Sequence, residues 1–157
     1  MTRDTLEDLA AGRFRILDPG RQVQTALLLS SEVDERLERL AELLPPRSLN
    51  KLVVAVLSAY APVSREDAAA LMAGHYANHR GSRPRKRNLR LPGQVRAVLA
   101  QLADELREHA PAASRSLLAS AVLDVHLPAG AAEALELIDS YDTTLNWAQL
   151  QALTSRR

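Results

Sequence analysis

The sequence has no cysteine, which excludes disulfides, thiolate metal sites and cysteine nucleophiles. Aromatic residues are scarce, at 3% of 157 residues against a hydrophobic fraction of 46%. A core made mostly of Leu, Ala and Val favours packed helices over an aromatic-rich β-sandwich. No apolar run reaches the roughly 18 residues that a membrane span requires, and the opening M-T-R-D-T-L-E-D-L carries no signal-peptide core, so a cytoplasmic protein with no membrane partner is expected. Glycine-rich phosphate loops, nucleophile motifs and acid/histidine clusters at ligand spacing are also missing, so neither an enzyme nor a bound cofactor is expected.

The formal net charge is only +1, but its distribution is uneven. No acidic residue falls between Asp67 and Asp104, whereas Arg80, Arg83, Arg85, Lys86, Arg87, Arg90 and Arg96 all do. A basic stretch in an otherwise acidic chain is either an electrostatic footprint for phosphate or an acidic surface, or a linker kept soluble by its charge.

A repeat is visible in spacing rather than in identity. Val33, Leu37, Leu40 and Leu44 recur as Val95, Leu99, Leu102 and Leu106, each 62 residues later, and each set defines one face of a helix. T-A-L-L-L-S-S-E-V precedes the first set and R-N-L-R-L-P-G-Q-V the second; both read as a short strand running into a helix. Ser30 or Ser31 suits the first N-cap, and Pro92, with fixed φ and no N–H, suits the second helix start. After each helix comes a breaker, Pro45-Pro46 or Pro111, then a second apolar helix, about Asn50 to Tyr60 and Ser114 to Val125, stopped by Pro62 and Pro128. Leu52, Val53, Val56, Leu57 and Tyr60 align with Leu117, Leu118, Ala121, Val122 and Val125 at an offset of 65. A strand with two bare edges and a pair of helices cannot bury its own apolar surface. The two copies are therefore expected to pair their strands antiparallel and interlock four helices, giving an intramolecular pseudo-dimer.

With N-L-R-L-P-G-Q-V-R-A-V-L-A-Q-L-A-D-E-L in the second copy and R-S-L-N-K-L (Arg47 to Leu52) in the first, the chain resembles the ribbon-helix-helix DNA-binding proteins of the Arc/MetJ/CopG superfamily, over about half its length. Tandem single-chain members are known there. The resemblance implies a mainly α fold with a short two-stranded antiparallel β-ribbon. The expected organisation is an N-terminal helical extension (1–20), a first repeat (21–62), a helical and basic linker (63–85), a second repeat (86–128) and a C-terminal helical segment (129–157).

In that superfamily the outer face of the ribbon reads bases in the major groove. Alternation turns Leu89 and Leu91 inward and Lys86, Asn88 and Arg90 outward, and these three match the hydrogen-bonding edges of guanine and adenine. In the first strand Leu27 and Leu29 point inward, leaving Gln24, Ala26 and Leu28 outside. Only Gln24 is a conventional reader; Ala26 and Leu28 suit thymine methyls or an apolar protein contact. Phosphates are assigned to Arg83, Arg85 and Arg87 in the basic arm and to the helix-opening residues Ser48, Asn50, Ser114 and Ser116, for which plain helix capping is the compatible structural role.

Outside the repeats, Ser64 and Asp67 open a short helix ending near Asn78, and Asp4 with Glu7 opens another at the N-terminus, docking Leu6 and Leu9. His75 and His79 stand four apart without a third ligand nearby in sequence, and His109 and His126 have no partner, so no metal is expected. From Ala131 two helices are expected, broken around Tyr141 to Thr144, with Leu135, Leu137, Ile138, Leu145, Trp147, Leu150 and Leu153 apolar and Trp147 the natural anchor. The expected function is a sequence-specific double-stranded DNA-binding protein, a transcriptional repressor that self-associates on DNA. Its alternatives are an antitoxin holding its toxin through the C-terminal segment, a partition or conjugation accessory protein, and, in another class, a protein-interaction module derived from the same fold.

Overall fold

The computed structural model describes residues 12–154, which form six helices and one two-stranded sheet in the order β1 (Gln22–Leu29), α1 (Ser31–Leu43), α2 (Ser48–Tyr60), α3 (Arg65–Asn78), β2 (Arg85–Pro92), α4 (Gly93–Arg107), α5 (Arg115–His126) and α6 (Ala131–Thr154). The chain is thus mainly α with a short antiparallel ribbon. Among the described residues no helix is long and apolar enough to cross a membrane.

The ribbon follows the alternation rule. Thr25, Leu27, Leu29, Leu89 and Leu91 are buried, and the intervening Gln24, Ala26, Leu28, Asn88 and Arg90 are exposed. β1 and β2 pair antiparallel, with Gln24 opposite Arg90, Ala26 opposite Asn88 and Leu28 opposite Lys86. Arg85, expected in the linker, is the first residue of β2, opposite Leu29.

Helix boundaries have local causes. Ser30, not Ser31, caps α1, its hydroxyl accepting from Val33 N–H at 3.3 Å; Ser64 caps α3 by accepting from Asp67 N–H at 3.1 Å; Ser114 caps α5 by accepting from Leu117 N–H at 3.0 Å. Pro92 occupies the N-cap of α4, where it forfeits no amide, and Asp18 supplies the missing acceptor by taking the Gln94 N–H at 3.0 Å.

Val33, Leu37, Leu40 and Leu44 are all buried, as are Val95, Leu99 and Leu106, with Leu102 packed at the margin. The expected offset of 65 between the second helices does not fit. Leu52 is fully enclosed whereas Leu117 is half-buried and Leu118 is fully enclosed. An offset of 66 aligns Leu52 with Leu118, Leu57 with Leu123, and the C-caps Ala61 with Leu127, whose N–H groups go to Leu57 and Leu123.

The packing is crossed. α2 lies against β2, α5 lies against β1, and the two helices also pack on each other, with α1 and α4 flanking them. α3 covers α4 and α5 with Ala68, Met72 and His75 buried. α6 lies along α2.

Two expectations at the ends are corrected. The helical extension assigned to residues 1–20 does not continue past residue 12: residues 14–21 are non-helical. There Phe14 and Ile16 enter the core, and the N–H groups of Arg15 and Ile16 donate to Ser58 O at 2.9 and 3.1 Å. Asp4, Glu7, Leu6 and Leu9 lie outside the described residues. At the other end α6 is a single helix through Tyr141 to Thr144. No Gly or Pro interrupts it; Thr144, buried mid-helix, returns its hydroxyl to Ser140 O at 2.7 Å, and Asp142 accepts from Lys51 of α2 at 3.4 Å. Leu137, Ile138 and Tyr141 are buried, Tyr141 edge-on to Phe14 at 5.3 Å, and Trp147 is half-buried. Leu135, Leu150 and Leu153 are exposed.

Candidate nucleic-acid interface

The outer face of the ribbon presents three cross-strand rungs, Gln24–Arg90, Ala26–Asn88 and Leu28–Lys86. Directly opposed residues of an antiparallel pair place their Cβ atoms about 4.5–5.5 Å apart, so the six side chains form one contiguous surface. Lys86, Asn88 and Arg90 are exposed, and neither cation has a carboxylate partner among the described residues. Two of the six positions are chemically different: Leu28, 52% exposed, and its exposed neighbour Ala26 are apolar.

The inner positions of the same strand are used otherwise. Arg87 shares parity with Leu89 and Leu91, so its side chain turns toward α1. There its Nε donates to Asp34 Oδ1 at 2.7 Å and its NH2 group to Glu38. Burial works against the charged guanidinium, but hydrogen bonds to Asp34 and Glu38 outweigh it and raise the Arg87 pKa above its ordinary value. Arg85 pairs with Glu35 at 3.3 Å and lies 3.8 Å from Asp34. These two arginines, expected to hold phosphates, are thus occupied by α1 carboxylates. The parity that places Leu89 inside places Arg87 there too. Arg83 is exposed and unpaired among the described residues.

The helix-opening residues also have local tasks. Asn50 grips β2 from α2: its Nδ2 donates to Arg90 O at 3.0 Å and its Oδ1 accepts from Arg90 N–H at 2.8 Å. Ser116, on α5, accepts from Leu28 N–H at 2.9 Å. The two contacts satisfy backbone groups on opposite open edges of the ribbon, groups that a two-stranded sheet leaves unpaired. One turn further along α5, the buried Ser120 hydroxyl accepts from Ser30 N–H at 3.0 Å. Asn50 and Ser116 are therefore ribbon clamps, Ser114 is a helix cap, and Ser48 lies half-buried in the first turn of α2. Because water replaces the exposed Asn50 bonds more readily than the buried one, Ser120→Ala is expected to cost about 1–3 kcal/mol and Asn50→Ala about 1 kcal/mol. Urea midpoints of the two variants check this order.

Two basic residues to which the sequence reading assigns no phosphate role stand at helix starts. Arg115 opens α5, and its partly buried guanidinium has an Nε without a partner. Burial, and then the like charge of Arg96, lower its pKa. Arg47 holds the N-cap of α2 in a left-handed conformation, φ 69°, with its side chain exposed, at a backbone cost of about 1 kcal/mol or more.

A second cluster gathers the two histidines that stand four apart in the sequence and gives them the third group that local spacing lacks. His75 is 5% exposed. Its Nδ1 lies 3.2 Å from Asp124 Oδ2, and His79 Nε2 lies 2.9 Å from the same oxygen. Asp124 comes from α5, 45 residues beyond His79, so no local spacing could reveal it. Burial is the main force acting on both: it lowers the pKa of His75, whereas in Asp124 its upward push is outweighed by hydrogen bonds from His79 and His75, which lower the pKa.

Comparison of the chain with protein-family models, curated proteins and solved structures finds no match in any of the three.

Proposed function

We propose that the chain is a tandem ribbon-helix-helix protein that binds double-stranded DNA sequence-specifically by inserting β1 and β2 into the major groove, acting as a transcriptional repressor. The observation that carries this is the outer face of the ribbon: three aligned rungs in which Lys86, Asn88 and Arg90 are free to make hydrogen bonds, while the neighbouring Arg85 and Arg87 are neutralised by α1. A two-stranded ribbon fits the major groove, where Arg pairs with guanine and Asn with adenine.

The pseudo-dimeric part of the proposal draws support from matched positions. Asn50 and Ser116, 66 residues apart, contact Arg90 and Leu28, 62 residues apart. Each clamp therefore crosses from one half to the strand of the other. The same relation pairs Tyr60 with His126, whose rings stack at 4.1 Å. Arg47 at the start of α2, Arg96 in the first turn of α4 and Arg115 at the start of α5 supply the cationic helix N-termini that would hold flanking phosphates.

Selection of duplexes from a random pool, followed by footprinting, tests the proposal. Asn88→Ala and Arg90→Ala are each expected to weaken binding by about 1–3 kcal/mol and to relax selection at one base pair. Failure to enrich any sequence, or unchanged affinity in both variants, would refute base reading. The apolar Leu28 end of the ribbon favours one second reading, a protein-interaction module. It predicts no duplex enrichment and a loss of partner binding in Leu28→Lys. Repression, as opposed to an antitoxin or a partition role, is tested by repression of a reporter carrying the selected site.

A further inference from the structure

The geometry points to a binding site for a first-row divalent transition ion of the zinc class, formed by His75 Nδ1, His79 Nε2 and Asp124 Oδ2. These three atoms lie within 4.8 Å of one another and come from two helices, α3 and α5. In a tetrahedral zinc centre with bonds of about 2.0–2.1 Å, neighbouring ligand atoms stand about 3.3 Å apart. The Asp124 oxygen already lies 3.2 and 2.9 Å from the two imidazole nitrogens, so those two edges need shifts of only a few tenths of an ångström, and the imidazole nitrogens, within 4.8 Å of each other, would close onto the ion. Two imidazoles and one carboxylate select zinc-like ions over calcium or magnesium, which take all-oxygen shells.

The surroundings resemble those of a metal ligand set rather than of a simple buried hydrogen bond. His79 Nδ1 faces Glu32 Oε2 at 3.2 Å, the carboxylate–histidine contact that orients a metal-bound imidazole. Glu32 is itself fixed by the Ser82 hydroxyl at 2.9 Å. On the other side Arg36 holds Asp124, its NH1 group donating to Oδ1 at 3.3 Å and to the backbone oxygen at 2.8 Å. That leaves Oδ2 directed to the histidines. His79 Nε2 is the nitrogen that meets Asp124, and its Nδ1 faces Glu32, so an ion on Nε2 would leave the Nδ1 side of the ring directed at that carboxylate. A cleft of about 340 Å³ lined by His75, His79 and Ser82 opens onto the cluster. It gives an ion a path in and leaves room for a water as the fourth ligand.

The site would join the end of α3 to α5 and, through Glu32, to the first turn of α1. His79 is immediately followed by the turn through Gly81, whose φ of +80° suits glycine, and that turn leads into β2. An ion there would brace the segment that delivers Lys86, Asn88 and Arg90 to the outer face.

The test is a Zn²⁺ titration of the full chain in competition with a chromophoric chelator of micromolar affinity. One ion per chain is expected, bound more tightly than by the chelator. His79→Gln and Asp124→Asn should weaken binding by more than about 100-fold, and Glu32→Gln by about 10–100-fold, the range for partners of metal ligands. His109→Gln and His126→Gln should leave it unchanged. His79→Gln and Glu32→Gln alter partly exposed side chains and keep the comparison valid if Asp124→Asn fails to fold. No stoichiometric binding by the parent chain, or affinity unchanged in His79→Gln, overturns the site, and neither outcome depends on DNA.

Discussion

Arg87→Ala is expected to destabilise the protein by about 3–5 kcal/mol, the usual cost of stripping one partner from a buried ion pair. Asp34 is 7% exposed, and the Arg87 guanidinium is its nearest cation, at 2.7 Å. Removing that side chain leaves a carboxylate enclosed between α1 and the ribbon, with Arg85 3.8 Å away as its other cation. The expected ordering distinguishes this mechanism from loss of packing. Arg87→Met keeps most of the aliphatic stem but strands the same charge, so it should be nearly as damaging, whereas combining Arg87→Met with Asp34→Leu should recover much of the loss. Urea unfolding of the three variants measures this; if Arg87→Met proves neutral, the pair does not hold α1 to the ribbon.

Leu27→Ala is expected to cost about 2–5 kcal/mol, and Leu28→Ala no more than about 0.5 kcal/mol. The residues are identical in type and adjacent in one strand, but Leu27 is fully enclosed and Leu28 is 52% exposed. Side chains in a strand alternate with a period of two, so a slip of one residue would exchange the two fates. The contrast is therefore a direct solution test of the ribbon register. On the proposed function it also separates roles, because Leu28→Ala should alter binding while leaving the melting temperature nearly unchanged. Equal destabilisation by the two substitutions would contradict the register.

Much of the architecture could be read in the sequence because it depends on short-range signals. The alternation of Leu27, Leu29, Leu89 and Leu91 identifies the inner ribbon face, the 4-3-4 spacing of Val33 to Leu44 identifies a buried helical face, and prolines mark the stops. Features that depend on distant partners could not be read the same way. Basic residues at 85 and 87 suggest phosphate binding until α1 brings Asp34, Glu35 and Glu38 beside them, about 50 residues away in sequence. His75 and His79 lack a third ligand until α5 supplies Asp124. The offset between the second helices slipped by one because V-V-A-V and L-A-S-A-V, in which Ser120 is the lone polar residue, are buried on every side and leave periodicity no polar face with which to fix the register. Phe14 and Ile16 lie in a segment with no helical period, and only the alternation of two apolar residues with Arg15 marks it.

The bond between Ser120 and the Ser30 amide bears on whether the two halves are interchangeable. Ser120 follows Ser116 by four residues, and Ser30 follows Leu28 by two. The corresponding steps from Asn50 and Arg90 lead to Val54, which has no hydroxyl, and Pro92, which has no amide proton. Hydroxyl meets N–H at one place, and at the other neither is present. On the proposed tandem reading, an assembly of two first halves would bury the Ser30 amide against valine, and one of two second halves would bury a serine hydroxyl against proline. Each mismatch leaves a polar group without a partner, at about 1–3 kcal/mol. The halves are thus coded for each other, and exchange between chains is disfavoured unless it unites unlike halves.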